Sequence, residues 1–160
     1  MWVPINNFCL DFDLSYKNAA NYCASQDRCI SEVKSKLQSW SVDKSFFNKI
    51  ISKLTDEGFM DEERFATSYV SGKFRINGWG KRKIFVGLRS KSVPFELIDK
   101  ALLTIDDDEY ALVLDTLLNK KLKLLGDDTL QNKQKAAYFA TSRGFEPELI
   151  SKILGEMGNS

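Results

Sequence analysis

Three stretches of the chain repeat one arrangement of apolar and polar positions: SVDKSFFNKII at 41–51, SVPFELIDKAL at 92–102 and GFEPELISKIL at 144–154. When Val42, Val93 and Phe145 are aligned, the apolar pairs Phe46-Phe47, Leu97-Ile98 and Leu149-Ile150 coincide. So do Lys49, Lys100 and Lys152, and the pairs Ile50-Ile51, Ala101-Leu102 and Ile153-Leu154. Successive copies are offset by 51 and then 52 residues. Apolar residues at i, i+1, i+4 and i+5 form one face of an amphipathic helix. Asp43 and Glu146 stand where an N-cap belongs, and Pro94 and Pro147 suit a first helical turn, where a missing N–H costs nothing.

Each copy follows a second helical segment. These are DRCISEVKSKLQSW with Ile30, Val33 and Leu37, GKRKIFVGLRSK with Ile84, Phe85 and Leu88, and KQKAAYFATSR. Ahead of them lies a third helical type, with Ala19-x-x-Tyr22 in the first copy and Ala66-x-x-Tyr69 in the second, while DEYALVLDTLLNKKLKLL keeps the period without that tetrad. The pattern predicts an all-α chain of three tandem three-helix repeats, packed end to end as an elongated, curved helical array. A single irregular helical bundle is the alternative. Polar punctuation sets the boundaries. Residues 1–14, with Trp2, Phe8 and Phe12, form an N-terminal extension, followed by repeats at 15–56, 57–106 and 107–160. TDEG at 55–58 places Gly58 just past a helix end. Asp61 with Glu62 and Glu63, and DDDE at 106–109, suit the positive ends of following helices better than they suit a metal. GDDT at 126–129 marks a loop.

Composition narrows the chemistry. At 160 residues, 43% hydrophobic and 28% charged, the chain is a folded, soluble type, and three prolines with nine glycines argue against a sandwich. No run is apolar enough to span a membrane, and the start lacks the flanks of a signal peptide. Cys9, Cys23 and Cys29 have no paired spacing, and with no histidine a zinc site is a poor expectation. They read as reduced, structural thiols in the cytoplasm. Without histidine there is no imidazole base and no Ser-His-Asp arrangement. INGWGK is not a phosphate loop, because it lacks the strand and the hydroxyl residue. Binding, not catalysis, is the expected function, with no cofactor and no metal.

The formal net charge of +1 conceals a local excess. From Lys73 to Lys91 stand Lys73, Arg75, Lys81, Arg82, Lys83, Arg89 and Lys91 with no carboxylate among them. Lys81, Arg82 and Lys83 open a helix at the end where cations are unfavourable. Trp79, between Gly78 and Gly80, sits in the loop before it. These eight residues are the candidate partner-binding set, an electrostatic footprint for a polyanion or an acidic protein surface. A solvated face with a tryptophan over a helix junction explains the same residues without a partner. Tyr69 and Phe74 are further candidates for contact area, although Tyr69 fits the core pattern better.

The segment 56–102 resembles the RecX family of bacterial recombination regulators. The likeness rests on Asp61-Glu62-x-x-Phe65-Ala66, the Tyr69-Val70 step, Gly80-Lys81-Arg82, Leu88, and Ser92-Val93 where the family often has Gly-Ile. It extends over about 16–155 and is weakest in the third unit. The resemblance implies three repeats of a three-helix motif, no catalytic residues and no cofactor. It implies a cytoplasmic modulator of the RecA recombinase, usually an inhibitor, that lies in the groove of the recombinase filament and acts as a monomer. Weak single- or double-stranded DNA binding accompanies that role. A sequence-nonspecific DNA-binding module that does not depend on the recombinase is the alternative.

Overall fold

The computed structural model describes residues 11–159, and among them the backbone forms nine α-helices and no strand. The first trio is α1 (Phe12–Ser25), α2 (Ile30–Ser39) and α3 (Phe47–Asp56), the last entered through a 3-10 turn at Lys44–Phe46. The second is α4 (Glu62–Arg75), α5 (Lys81–Ser90) and α6 (Phe95–Leu102). The third is α7 (Asp107–Leu125), α8 (Leu130–Ser142) and α9 (Pro147–Met157). The chain is thus all-α, in three tandem three-helix repeats. No described helix is long and apolar enough to cross a membrane.

The aligned register marks the end of each middle helix. Ser41, Ser92 and Gly144 open the three copies and hold φ of 57°, 62° and 97°, the left-handed position that follows a helix terminus. After α2, the Ser41 N–H donates to Gln38 O at 3.0 Å and the Val42 N–H to Leu37 O at 3.1 Å. After α8, the Gly144 N–H donates to Thr141 O at 3.0 Å and the Phe145 N–H to Ala140 O at 3.2 Å. These paired bonds form a Schellman motif, which turns the chain and buries the next apolar residue, Val42 or Phe145. The repeat is therefore a helix stop followed by a core residue. Gly58 ends α3 as its type suggests, at φ 78° with the Phe59 N–H on Leu54 O at 2.9 Å.

The acidic runs serve as helix starts. Asp61 accepts from the Arg64 N–H at 3.0 Å and Asp106 from the Glu109 N–H at 2.9 Å. Two capping expectations need correction. Pro94 is the N-cap of α6, not a residue inside it, and its carbonyl accepts from the Ile98 N–H at 3.1 Å. Glu146 occupies the N-cap of α9, but its carboxylate turns to the Tyr110 hydroxyl instead of its own helix. Phe12, assigned above to an extension, is helical because Asp11 accepts from the Leu14 N–H at 2.8 Å and so caps α1. Trp2, Phe8, Cys9 and the rest of 1–10 lie outside the described residues.

By packing, the described residues fall into two compact units, one running up to Phe65 with Lys91–Val93 and the other comprising Ala66–Ser90 and the chain from Pro94. The first is organised around Ala19, Cys23, Val33, Leu37, Ile50 and Leu54. The Phe12 and Phe46 rings meet edge to face at 5.7 Å on its margin. Cys23 and Cys29 are buried free thiols, and burial pushes the Cys23 thiol up, away from the reactive thiolate. The second unit buries Phe74, Ile84, Leu88, Ile98, Leu114, Leu118 and Phe145. The Tyr110 ring lies 5.7 Å from Phe74 and 5.1 Å from Phe145 and joins the two ends of that core.

Candidate cationic interface

In the second unit, α4 stops at Arg75 and the chain doubles back. Gly78 sits at φ 66°, and the Trp79 N–H returns to Lys73 O at 3.0 Å, which lays the indole against the last turn of α4. The Lys73 Nζ stands 4.6 Å from the ring centroid and the Lys83 Nζ 4.5 Å from it. Two ammonium groups thus share one aromatic ring. Each cation–π contact contributes about 0.5–1 kcal/mol at a half-exposed site. Unlike a carboxylate, the ring holds its cations without cancelling their charge.

The start of α5 is fastened from behind. The Gly80 N–H donates to Arg143 O at 2.8 Å, and the Arg82 N–H donates to Gly144 O at 3.0 Å. The Lys81 N–H donates to the Tyr110 hydroxyl at 3.0 Å, and that hydroxyl donates to Glu146 Oε2 at 2.6 Å. Donors that a helix N-terminus leaves unsatisfied are here consumed by the protein itself. The anion-attracting feature of this end is therefore its side chains, not its amides. Burial, then the bond to Glu146, pushes the Tyr110 hydroxyl well above the usual tyrosine range. A Cβ on Gly80 would overlap the Gly144 carbonyl, and one on Gly144 would overlap Lys83, so the two backbones meet directly at a pair of glycines.

The eight candidate residues divide. Lys73, Trp79 and Lys83 form the stack, and Arg82, the residue before Lys83 on α5, is exposed. Lys73, Arg82 and Lys83 have no ion pair among the described residues. Arg75 departs from the expectation of an open cation. Its fork meets Glu109 at 2.9 and 3.1 Å and holds that carboxyl below the usual range. Lys81 is likewise withdrawn, with Nζ 3.4 Å from Asp107 and 4.7 Å from the Tyr110 centroid. Lys91 belongs to the other unit and pairs with Glu32 at 2.8 Å. Arg89, at the far end of α5, lies over the Phe95 ring at 4.1 Å. Charges far apart in sequence neutralise half-buried lysines, which a local count of carboxylates between 73 and 91 does not register.

Phe74 is fully buried and offers no contact surface, and Tyr69 is half-buried. Phe85, expected in the core, is only half-buried and faces Phe95 at 5.6 Å. Arg143 was not anticipated. Its guanidinium donates to Asn77 O at 3.3 Å and lies 5.2 Å from the Phe139 centroid, which adds a cation next to the Trp79 loop. Trp79 does pack over a helix junction, so the structural reading of that residue holds alongside any binding role. Among the described residues, no cluster of three or more potential ligands could hold a metal.

Comparison with known proteins agrees with this architecture. Residues 61–102 match the family model described as the RecX second three-helix domain. The regulatory protein RecX of Leuconostoc citreum is 26% identical over 140 residues, covering 87% of this chain and 53% of that protein, so this chain spans about half of that relative's length. The regulatory protein RecX of Chlorobaculum tepidum is 30% identical over 130 residues, covering 79% of each chain. The crystal structure of RecX from Lactobacillus salivarius superposes with a TM-score of 0.85 at 25% identity, covering 94% of this chain and 98% of that one. Three-helix repeats, a matched central domain and a relative aligned over most of both chains lead to one conclusion: the protein belongs to the RecX family of regulatory proteins.

Proposed function

We propose that this protein is a cytoplasmic modulator of the RecA recombinase that binds the recombinase filament on DNA and inhibits its recombination, ATPase and coprotease activities. The observation that carries the reading is the Lys73–Trp79–Lys83 stack, with the exposed Arg82 on the same helix as Lys83. A family of regulators acting on nucleoprotein needs a surface that keeps its positive charge, and these cations are positioned without carboxylates to neutralise them. Steered association with a polyanionic filament follows from such a field. No residue set suited to catalysis enters the proposal. A DNA-binding module acting without the recombinase would use the same cations.

Titration of the protein against the RecA filament and against bare single-stranded DNA, at two salt concentrations, separates the two. Tighter binding to the filament, with slowed ATP turnover by the recombinase, supports the proposal. Equal affinity for both would sink it. Charge reversal of Lys73 and Lys83 together weakens filament binding while helical content stays unchanged.

A further inference from the structure

Helix α5 carries a second apolar stripe that its own unit leaves open. Ile84 and Leu88 point into the core, while Arg82, Phe85, Val86 and Arg89 follow at i, i+3, i+4 and i+7 along another face. Val86 is 66% exposed, and Phe95, at the start of the neighbouring α6, is 51% exposed. Along α5, where the end of α6 and the Glu146 N-cap of α9 meet it, lies an open depression of about 630 Å³ lined by Lys81, Arg82, Phe85, Val86, Leu102 and Glu146. Its floor is apolar and its α5 edge is cationic. Two of the lining charges are already engaged, Lys81 with Asp107 and Glu146 with the Tyr110 hydroxyl, whereas Arg82 is not ion-paired.

We propose that this α5–α6 groove docks an acidic, apolar segment of a protein partner. Apolar side chains of the segment would cover Val86, Phe85 and Leu102, with a carboxylate on the α5 side against Arg82. Nucleic acid is the poorer occupant. Phosphates gain nothing from Val86 and Leu102, and the rings that bases could stack on are engaged, Phe85 with Phe95 and Phe95 with Arg89. The groove gives the protein a contact with a polypeptide that differs in chemistry from the cationic stack around Trp79.

Two measurements on the full chain test this. In the first, wild type, Val86→Leu and Val86→Glu are titrated against the RecA filament and against oligo(dT), with folding checked by circular dichroism. The partner in this measurement rests on the filament reading. Val86→Glu is expected to lose about tenfold or more in filament affinity, with Val86→Leu and the oligo(dT) affinities held within about twofold. Filament binding by Val86→Glu equal to wild type overturns the groove. Equal wild-type affinity for filament and oligo(dT) instead sinks the filament reading, and the second measurement then decides the groove alone. A phage library of random peptides of about twelve residues, enough for three helical turns, is selected on the wild-type protein and counter-screened on Val86→Glu and on Arg82→Glu. Enrichment of Asp- or Glu-bearing apolar peptides that bind neither variant supports the proposal. Neutral or basic peptides, or none above the Val86→Glu background, overturn it, as does a dimer in sedimentation that Val86→Glu abolishes, since a second copy would then fill the groove.

Discussion

Gly80 is where the structure makes its most exacting claim about stability. An added methyl at this buried position would meet the Gly144 carbonyl and the Phe145 nitrogen, both backbone atoms that cannot rotate away. Relief requires α5 to separate from the turn after α8. That separation strains or breaks two hydrogen bonds, Gly80 N–H to Arg143 O at 2.8 Å and Arg82 N–H to Gly144 O at 3.0 Å. Overpacking of a tight site costs about 1–3 kcal/mol and weakening the two bonds about 1 kcal/mol in all, so Gly80→Ala should lose about 2–4 kcal/mol. For a chain of this size that is a fall in Tm of about 5–15 °C. Two nearby glycines are the controls. Gly72, inside α4 with nothing within 4 Å of an added Cβ, should gain about 0.5–1 kcal/mol as alanine. Gly78 has equal room but sits at φ 66°, so its alanine should cost about 1–2 kcal/mol from backbone strain alone. Urea and thermal unfolding followed by circular dichroism rank the three. A Gly80→Ala protein within about 0.5 kcal/mol of wild type would refute the backbone contact.

Ser41→Gly and Ser92→Gly remove a side chain from left-handed positions at φ 57° and 62°, and each should stabilise by about 0.5–1 kcal/mol in urea unfolding. Tyr110→Phe takes the acceptor from the Lys81 N–H and the donor from Glu146, and should cost about 1–3 kcal/mol at neutral pH. The Tyr110 hydroxyl is held above its ordinary value, so its contribution is fully present below about pH 10 and is lost progressively as pH rises from there toward the raised value of the folded protein. Stability measured from pH 8 to 11 should therefore fall less steeply in Tyr110→Phe. With Lys73, Arg82 and Lys83 as the available phosphate contacts, the logarithm of the affinity for single-stranded DNA should fall against the logarithm of salt with a slope of about −2, at about 0.7 per contact. Arg82→Glu with Lys83→Glu should bring that slope close to zero.

The helices and their repeat were legible because both depend on local spacing. Val33 and Leu37, Ile84 and Leu88, and Ile150 and Ile153 are buried where the helical period puts them. What escaped depends on contacts between residues distant in the chain. No local pattern pairs Arg75 with Glu109 or Lys91 with Glu32, and these pairs remove two residues from the expected cationic face. Phe85 follows Ile84 and looks equally apolar, yet one step along a helix is a turn of about 100°, enough to bring it from the core to the surface. Glu146 has the position of a helix cap but a stronger use, since the Tyr110 hydroxyl beside it is buried and needs an acceptor. The left-handed stops at Ser41 and Ser92 were hidden because serine does not announce them as glycine does.

The footing of Trp79 bears on how far this surface can be transplanted. Every side chain of the aromatic stack lies between Lys73 and Lys83, but the carbonyls that seat the loop belong to Arg143 and Gly144, and the hydroxyl that receives the Lys81 amide belongs to Tyr110. A fragment trimmed after α6 would keep all of the charge and lose the scaffold that orients it. The middle repeat is therefore a recognisable unit of sequence without being a self-sufficient unit of structure, and grafting it elsewhere means carrying its successor along.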